Sequence, residues 1–563
     1  MILASSSLYN LQLLVTLTEY YCAKFRVKLE PSKTKLLVYA KPNHILLTDH
    51  ALNNHTITIN KSPVAVSKEA EHVGILRSPS GNLPHILNRV AMHKNALHGL
   101  LPAGISRRSR GNPAACLRLA TLYATPVLMS GLASLVLRQS ELDILDGHFL
   151  GTLRSLLKLY RKTPRSIVYF LAGSLPARAL LHLRQLSLFA MICHLQDDPL
   201  HTHACYVYHH TKTCNRSWFM QMRDICKQYG LPHPLHLLSN PVPKKRFKKL
   251  VTEKVNGYWQ KLLMEEALSL SSLSHFNPAY HPLSQPHPMW KAAGSNPHEV
   301  NKTVVLSRMI SGRYRTEKLS RFWSDNRLGY CLASTCHQVV GDLPHLLLHC
   351  PSLQPLRASL YRMWLTKAAP YEQLYNLTLQ VLLSTDEVKM RFILDPLSFP
   401  TVISLVQLER EAVLDIVFYM SRTFVYALHR KKLILIGKWP FSTHSSSSLI
   451  PLTNVYVSGP PAGDDAAACE DAPQADVVTD SQCVVIPVSV PTHTSTACHD
   501  TPQYQALAGA HNISHNPCVA ASEHLQLVCQ LPGLDMRNRG GDAGGRGGRG
   551  GGVNVAGNTR SLS

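Results

Sequence analysis

Residues 24–39 read Lys24-Phe25-Arg26-Val27-Lys28-Leu29-Glu30-Pro31-Ser32-Lys33-Thr34-Lys35-Leu36-Leu37-Val38-Tyr39. Phe25, Val27 and Leu29 alternate with Lys24, Arg26 and Lys28, the two-residue period of a strand with one wet face, and Leu36 to Tyr39 is a second β-prone run beyond Pro31. The spacing predicts two paired strands. Upstream, Leu11, Leu14 and Tyr21 recur at helical intervals over residues 8–23, behind a Ser5-Ser6-Ser7 run able to cap the helix start. Downstream, Ile57 and Ile59 alternate with Thr56 and Thr58, Asn60-Lys61 offers a turn, and Val64 and Val66 return, so a hairpin should feed His72-Val73-Gly74-Ile75-Leu76. Residues 1–82 are therefore expected to be α+β.

From Leu83 the period changes. Long helical stretches, Leu117 to Leu137, Glu141 to Leu159 and Ala177 to Leu195, are punctuated by Pro113, Pro126, Pro164 and Pro176, which predicts a helical bundle over residues 83–235. Residues 236–300 are rich in Pro and His and contain the basic run Lys244-Lys245-Arg246-Phe247-Lys248-Lys249, read as a connector with a solvated helix start. Helix resumes over 301–325, and short helices are expected within 361–440. Beyond residue 440 Ser, Pro, Ala and Gly dominate, and Gly540 to Gly552 with Arg546 and Arg549 is low-complexity, so 441–563 is expected to be a disordered tail. No internal repeat is found. A chain of 563 residues exceeds what one core usually holds, so two or three folded units are anticipated.

Net charge is +23, and residues 451–563 hold 5 Lys/Arg against 10 Asp/Glu, which leaves 53 against 25 for residues 1–450. A basic folded part attracts polyanions and points to RNA or DNA rather than to an acidic small molecule; no small-molecule substrate suggests itself. Apolar runs such as Ile167 to Leu171 fall far below the ~18 residues of a spanning helix, and the start lacks the basic n-region of a secretory signal. The expectation is an intracellular chain, nuclear or cytoplasmic, with no membrane segment. Its 14 cysteines then read as core residues or metal ligands rather than a disulfide framework.

Spacing singles out Gly329-Tyr330-Cys331-x4-Cys336-x8-His345-x4-Cys350-Pro351, three thiolates and one imidazole within about twenty residues, a complete tetrahedral set for zinc. The first pair would sit in a tight loop and His345 and Cys350 on a following helix, with His337 and His349 as fallback ligands. Four protein ligands leave no place for water, so the predicted zinc is structural; unrelated buried cysteines are the alternative. A second cluster, His201, His203, Cys205, His209, His210 and Cys214, follows no regular pattern and reads as chance in a chain with 30 histidines. There is no phosphate loop, no Gly-x-Gly-x-x-Gly after a strand, no His-Glu-x-x-His and no Gly-x-Ser-x-Gly. Asp143 and Asp146 read as surface carboxylates, and no convincing set for two-metal nucleotidyl transfer is found.

Taken in order, Ile2-Leu-Ala-Ser-Ser-Ser-Leu8, Leu11-Gln12-Leu13-Leu14, Glu30-Pro31-Ser32-Lys33-Thr34-Lys35 and Glu71-His72-Val73-Gly74-Ile75 resemble the late palm of non-LTR (LINE-type) retrotransposon reverse transcriptases. Many family members have Asn where Glu30 stands. The resemblance implies that the catalytic Asp-Asp of these RNA-directed DNA polymerases lies upstream of Met1. Residues 1–82 would then be a partial palm without polymerase activity of its own, and Mg2+ would enter only with a palm supplied from elsewhere. It implies that Lys33 lies near the incoming nucleotide, where an ammonium can steady leaving pyrophosphate, and that Gly74 lies in the hairpin gripping the primer end. The basic helical region 83–235 is similar to the thumb, with Arg89, Lys94, Arg107, Arg108 and Arg110 as phosphate contacts or, equally, solvated helix charges. Ser307-Arg308-Met309-Ile310-Ser311-Gly312-Arg313-Tyr314 followed by the Cys-Cys-His-Cys set resembles the zinc-binding module of the same elements, here 301–360. The resemblance covers residues 1–360. The alternative is a non-catalytic, zinc-containing nucleic-acid-binding or scaffold protein derived from such an element.

Overall fold

The computed structural model describes residues 2–39, 56–105, 111–210, 217–320, 329–435 and 524–529. The chain divides into two compact units, Met1–Pro79 with Ala520–Ser563, and Ser80–Val519. Described residues are mostly helical, with a few small strands.

The first unit contains β1 (Ile2–Ser5), α1 (Leu8–Lys24), β2 (Thr34–Tyr39), β3 (Thr58–Ile59), β4 (Ser62–Pro63), β5 (Ala65–Val66), β6 (Ala70–His72), β7 (Ile75–Arg77) and β8 (His524–Cys529). The predicted helix forms, capped by Ser7, whose hydroxyl accepts the Asn10 N–H at 3.1 Å. Ser7→Ala is expected to lower the stability of this unit by about 1 kcal/mol in denaturant titration. Leu11 and Val15 of α1 bury against Leu29, Leu36, Ile57, Ile59 and Val64. Gln12 reaches from the helix to the backbone of Thr58, donating to its carbonyl at 3.1 Å and accepting its N–H at 2.8 Å, which ties helix to hairpin.

The expected strand over Phe25–Leu29 does not form. Phe25 ends α1, Arg26 takes a left-handed conformation (φ 56), and the Val27 N–H donates back to Cys22 O at 2.8 Å. Capping the helix uses the donors that a ladder would need, and Phe25 and Val27 stay exposed while Leu29 alone reaches the core. β2 pairs instead with β8, antiparallel, and with β5, parallel, in a sheet of order β1-β8-β2-β5. The β3–β4 hairpin turns on Asn60 and Lys61, both at positive φ, and β6–β7 turns on Val73 and Gly74, again both at positive φ, as type I′ hairpin turns require. Six residues of the stretch expected to be disordered thus form β8; the rest of that expectation lies outside the described residues.

In the second unit the helices expected over Glu141 to Leu159 and Ala177 to Leu195 form as Gln139–Leu156 and Ala177–Cys193, the stretch also holds Leu83–Gly99 and Arg165–Ala172, and the helix expected over Leu117 to Leu137 ends at Met129. Pro126 does not break its helix. Pro113–Leu119 opens into a π turn at Ala120–Ala124, the Thr125 N–H donates five residues back to Ala120 O, and the ladder resumes at Thr125–Met129 around the proline that has no N–H to give.

Residues 236–300, expected as a connector, are packed structure. Lys244–Ser269 is one 26-residue helix whose Phe247, Val251, Val255, Trp259, Leu263 and Ala267, each four residues from the next, are buried, while the basic start stays exposed. Nor are the C-terminal helices all short. After Gln354–Ala368, Glu372–Leu383 and Asp386–Leu394 comes Pro400–Leu435, 36 residues long, packed on Pro288–Ala293, Pro297–Ile310 and Gln354–Ala368. Among the described residues no single helix is long and apolar enough to cross a membrane; the one pair that passes jointly, Arg165–Ala172 with Ala177–Cys193, is bent by 59°.

Candidate metal centre

The chain between Gly329 and Gly341 folds back on itself. Tyr330 bridges Val340, the Cys331 N–H donates to Val339 O at 2.8 Å, and the Gly341 N–H donates to Gly329 O at 2.9 Å. This short finger carries Cys331 on its rising arm and Cys336 at its tip, where the Cys336 N–H donates to Ala333 O at 2.9 Å. Gly341 is needed for its lack of a side chain, since a Cβ there would lie 2.7 Å from Glu317 Cβ.

His345 and Cys350 come from a π turn, His345–His349, rather than the expected α-helix. Asp342 Oδ1 accepts the His345 N–H at 3.0 Å, and the Cys350 N–H donates to His345 O at 2.7 Å, which brings both side chains to the same side. One ligand atom from each of Cys331, Cys336, His345 and Cys350 lies within 4.8 Å of all the others, so the four form a group able to hold a metal ion. Cys336 and Cys350 Sγ are 3.6 Å apart. Two thiolates at about 2.3 Å from a tetrahedral zinc would be separated by about 3.8 Å, so the spacing is compatible with zinc.

Burial opposes charge on three of the four ligands. Burial pushes the Cys331 thiol up to about 12, with the neighbouring cysteine sulfurs adding to the rise, and burial likewise raises Cys350. A cation among these sulfurs is what would let them ionise. Burial lowers the His345 pKa, which keeps its imidazole neutral at pH 7, and its Nε2 finds no hydrogen-bond partner among the described residues. Arg357, 2 % exposed, donates to Cys350 O at 2.7 Å and places positive charge behind a set that would carry three thiolates. Lys432, near the end of the long helix, lies 3.1 Å from Glu317 and donates to Arg315 O, which closes the module from the other side. The fallback ligands stand outside: His349 pairs with Asp386 at 3.1 Å and His337 is exposed.

The other predicted residues are dispersed. Lys33 is exposed at the end of the 3-10 turn Pro31–Lys33 that leads into β2, and Gly74 occupies the β6–β7 turn at φ 72. Lys94 is exposed on Leu83–Gly99, but Arg89 on the same helix is buried at 5 %, so it is neither a surface phosphate contact nor a solvated charge. Arg107, Arg108 and Arg110 lie outside the described residues.

Asp146, read as surface, is half-buried and ties two helices together, accepting the Arg178 N–H at 2.8 Å and pairing with its guanidinium at 3.2 Å, while Asp143 pairs with the same guanidinium at 2.8 Å. In the irregular cluster His201 Nε2 donates to Leu238 O at 3.3 Å and its Nδ1 lies 4.0 Å from Cys205 Sγ; Cys214 is outside the described residues, and the described members form no metal-holding group. Sequence reading missed a second convergence, His281, His287 and Asp395. The one local signal was that each of the three precedes a proline.

Comparison of the chain with family models, with curated proteins and with solved structures returned no match.

Proposed function

We propose that this chain is a polypeptide of the LINE-type reverse-transcriptase class that binds RNA and DNA, with zinc held by Cys331, Cys336, His345 and Cys350 as a structural ion. The observation that carries the reading is the convergence of these four ligands in a chain whose first 450 residues hold 53 Lys/Arg against 25 Asp/Glu. Four protein ligands close the zinc coordination sphere, so the ion's role is to fix the finger and the π turn against each other. Nucleic acid would be held through phosphates, without reading of sequence.

Exposed cations support this role. Lys244, Lys245, Arg246, Lys248 and Lys249 crowd the first turns of a 26-residue helix, where the helix dipole disfavours positive charge and a polyanion would relieve it. Lys33 and the Gly74 turn supply the palm-like residues of the resemblance. Neither metal-holding group among the described residues contains more than one carboxylate, so the activity proposed is binding, and Mg2+-dependent polymerisation would require the Asp-Asp turn from another polypeptide segment.

Binding of the full chain to an RNA–DNA duplex is expected to weaken about 10³-fold or more between 50 and 200 mM salt, the loss for roughly six or more phosphate contacts. An affinity that does not change over that range contradicts the proposal.

A further inference from the structure

His281, His287 and Asp395 are 2 %, 2 % and 0 % exposed, and one ligand atom from each lies within 4.8 Å of the other two. Three separate pieces of chain bring them together. His281 follows the 3-10 turn Pro278–Tyr280, His287 caps the helix Pro288–Ala293, and Asp395 joins Asp386–Leu394 to the turn Pro396–Ser398. The following proline in each case keeps the residue out of helical geometry. The loop bearing the histidines is held from below: the His287 N–H donates to Leu171 O at 3.2 Å, Gln260 Nε2 donates to His281 O at 3.1 Å, and Gln260 Oε1 accepts the Leu283 N–H at 3.0 Å.

Asp395 accepts the Asn277 N–H at 3.0 Å, and its two oxygens lie 3.1 and 3.2 Å from His281 Nε2. The two imidazoles stack, with centroids 4.4 Å apart and planes 27° from parallel. Phe276 stacks on the outer face of His281 and Phe418 meets His287 edge-on, so the surroundings are apolar. His281 Nδ1 and His287 Nε2 are buried without a hydrogen-bond partner among the described residues. The hydrogen bond between His281 and Asp395 accounts for two of the three groups but leaves His287 facing that pair with an orphaned nitrogen, a cost native interiors rarely carry.

Two imidazoles and one carboxylate are the donor set of a divalent first-row transition ion. Ligands about 2.0–2.1 Å from a tetrahedral ion sit about 3.3 Å apart, and the nearest pair here is already at 3.1 Å. We infer that His281, His287 and Asp395 form a second divalent transition-metal site, of the three-ligand kind and separate from the Cys-Cys-His-Cys set.

Loading has a local consequence. In the structure His287 Nδ1 accepts the Met289 N–H at 3.2 Å, which places the ring proton on Nε2. Metal at Nε2 moves that proton to Nδ1, and metal at Nδ1 occupies the acceptor directly; in both cases the Met289 N–H loses its partner.

The test counts metal in the full-length chain loaded with zinc and, separately, with cobalt, and follows hydrogen exchange over residues 287–293. The expected result is two zinc ions per chain, falling to one in His287→Gln and to one in Cys350→Ser. In Cys350→Ser the remaining cobalt should show weak visible bands without thiolate charge transfer, and in the wild type Met289 exchange should accelerate on loading. A single ion lost from Cys350→Ser but retained in His287→Gln overturns the second site. A single ion with the opposite pattern supports it and overturns the Cys-Cys-His-Cys reading. No bound ion, or unchanged Met289 exchange on loading of the wild type, which needs no variant, also overturns it.

Discussion

Replacing Cys350 by serine is expected to abolish zinc binding at the Cys-Cys-His-Cys set and to unfold the segment from Gly329 to Leu353. Three facts set the size of the effect. Cys350 is 2 % exposed and lies 3.6 Å from Cys336, so a serine leaves a polar oxygen in a poor position both for the ion and for the remaining sulfurs. The finger itself is short, its two arms sharing the bridge between Tyr330 and Val340. Structural zinc contributes an apparent ~10–16 kcal/mol of binding free energy in small zinc modules at neutral pH, and that energy is folding energy. Limited proteolysis should show new cleavage between residues 329 and 350 in Cys350→Ser, and the wild type treated with a strong chelator should give the same fragments. Because a thiol must lose its proton to bind zinc, and burial pushes Cys331 up to about 12 and raises Cys350, zinc affinity should also fall as the pH is lowered. Fragments from the wild type that are identical with and without chelator would contradict this account.

Gly173→Ala is expected to destabilise the second unit by about 4 kcal/mol or more. Gly173 ends the helix Arg165–Ala172 in the left-handed conformation (φ 60), which costs an alanine roughly 1–2 kcal/mol on its own. The larger part is steric, because a Cβ at that position would sit 1.9 Å from Gln285 C and 2.2 Å from Pro286 N, both backbone atoms. The loop would have to move away, breaking the bond from the His287 N–H to Leu171 O. It would also disturb the fully buried Trp290, whose Nε1 donates to the same carbonyl at 3.0 Å. Gly230→Ala is the control: Gly230 has φ 60 as well, but nothing lies within 4 Å of its added Cβ, so only the conformational cost of roughly 1–2 kcal/mol applies. Urea titrations of the two variants should differ by a factor of two or more in lost stability; equal losses would show that the close packing of the 281–287 loop on Gly173 is not what constrains this position.

Local signals in the sequence translated well into structure where one segment decides its own conformation. Ser7 caps α1, Asn60-Lys61 and Val73-Gly74 turn their hairpins, and the Cys-x4-Cys-x8-His-x4-Cys spacing closes on itself because all four ligands lie within twenty residues. Reading failed where a competing local bond, a misleading composition or a distant partner decides. Phe25 and Val27 alternate as a strand would, yet helix capping takes the Val27 N–H before any ladder can. β2 finds its partner in His524–Cys529, almost five hundred residues on, inside a stretch whose composition reads as unfolded. The run after residue 236 reads as a connector because it is rich in Pro and His and carries the basic run Lys244 to Lys249. Over Lys244–Ser269 the six residues from Phe247 to Ala267 that are buried recur at every fourth position, enough to bury one helical stripe under a basic surface. Asp395 joins His281 across more than a hundred residues, a pairing no spacing could announce.

The most direct test of the central claim is the ultraviolet absorption of the purified full-length chain reconstituted with cobalt. An intense thiolate-to-cobalt charge-transfer band is predicted, with the strength of three sulfur ligands on one ion, discharged by stoichiometric zinc and absent from Cys350→Ser. Cobalt bound without that band, or a band that Cys350→Ser leaves intact, would show that Cys331, Cys336, His345 and Cys350 do not hold a metal together and would remove the observation on which the proposed function rests.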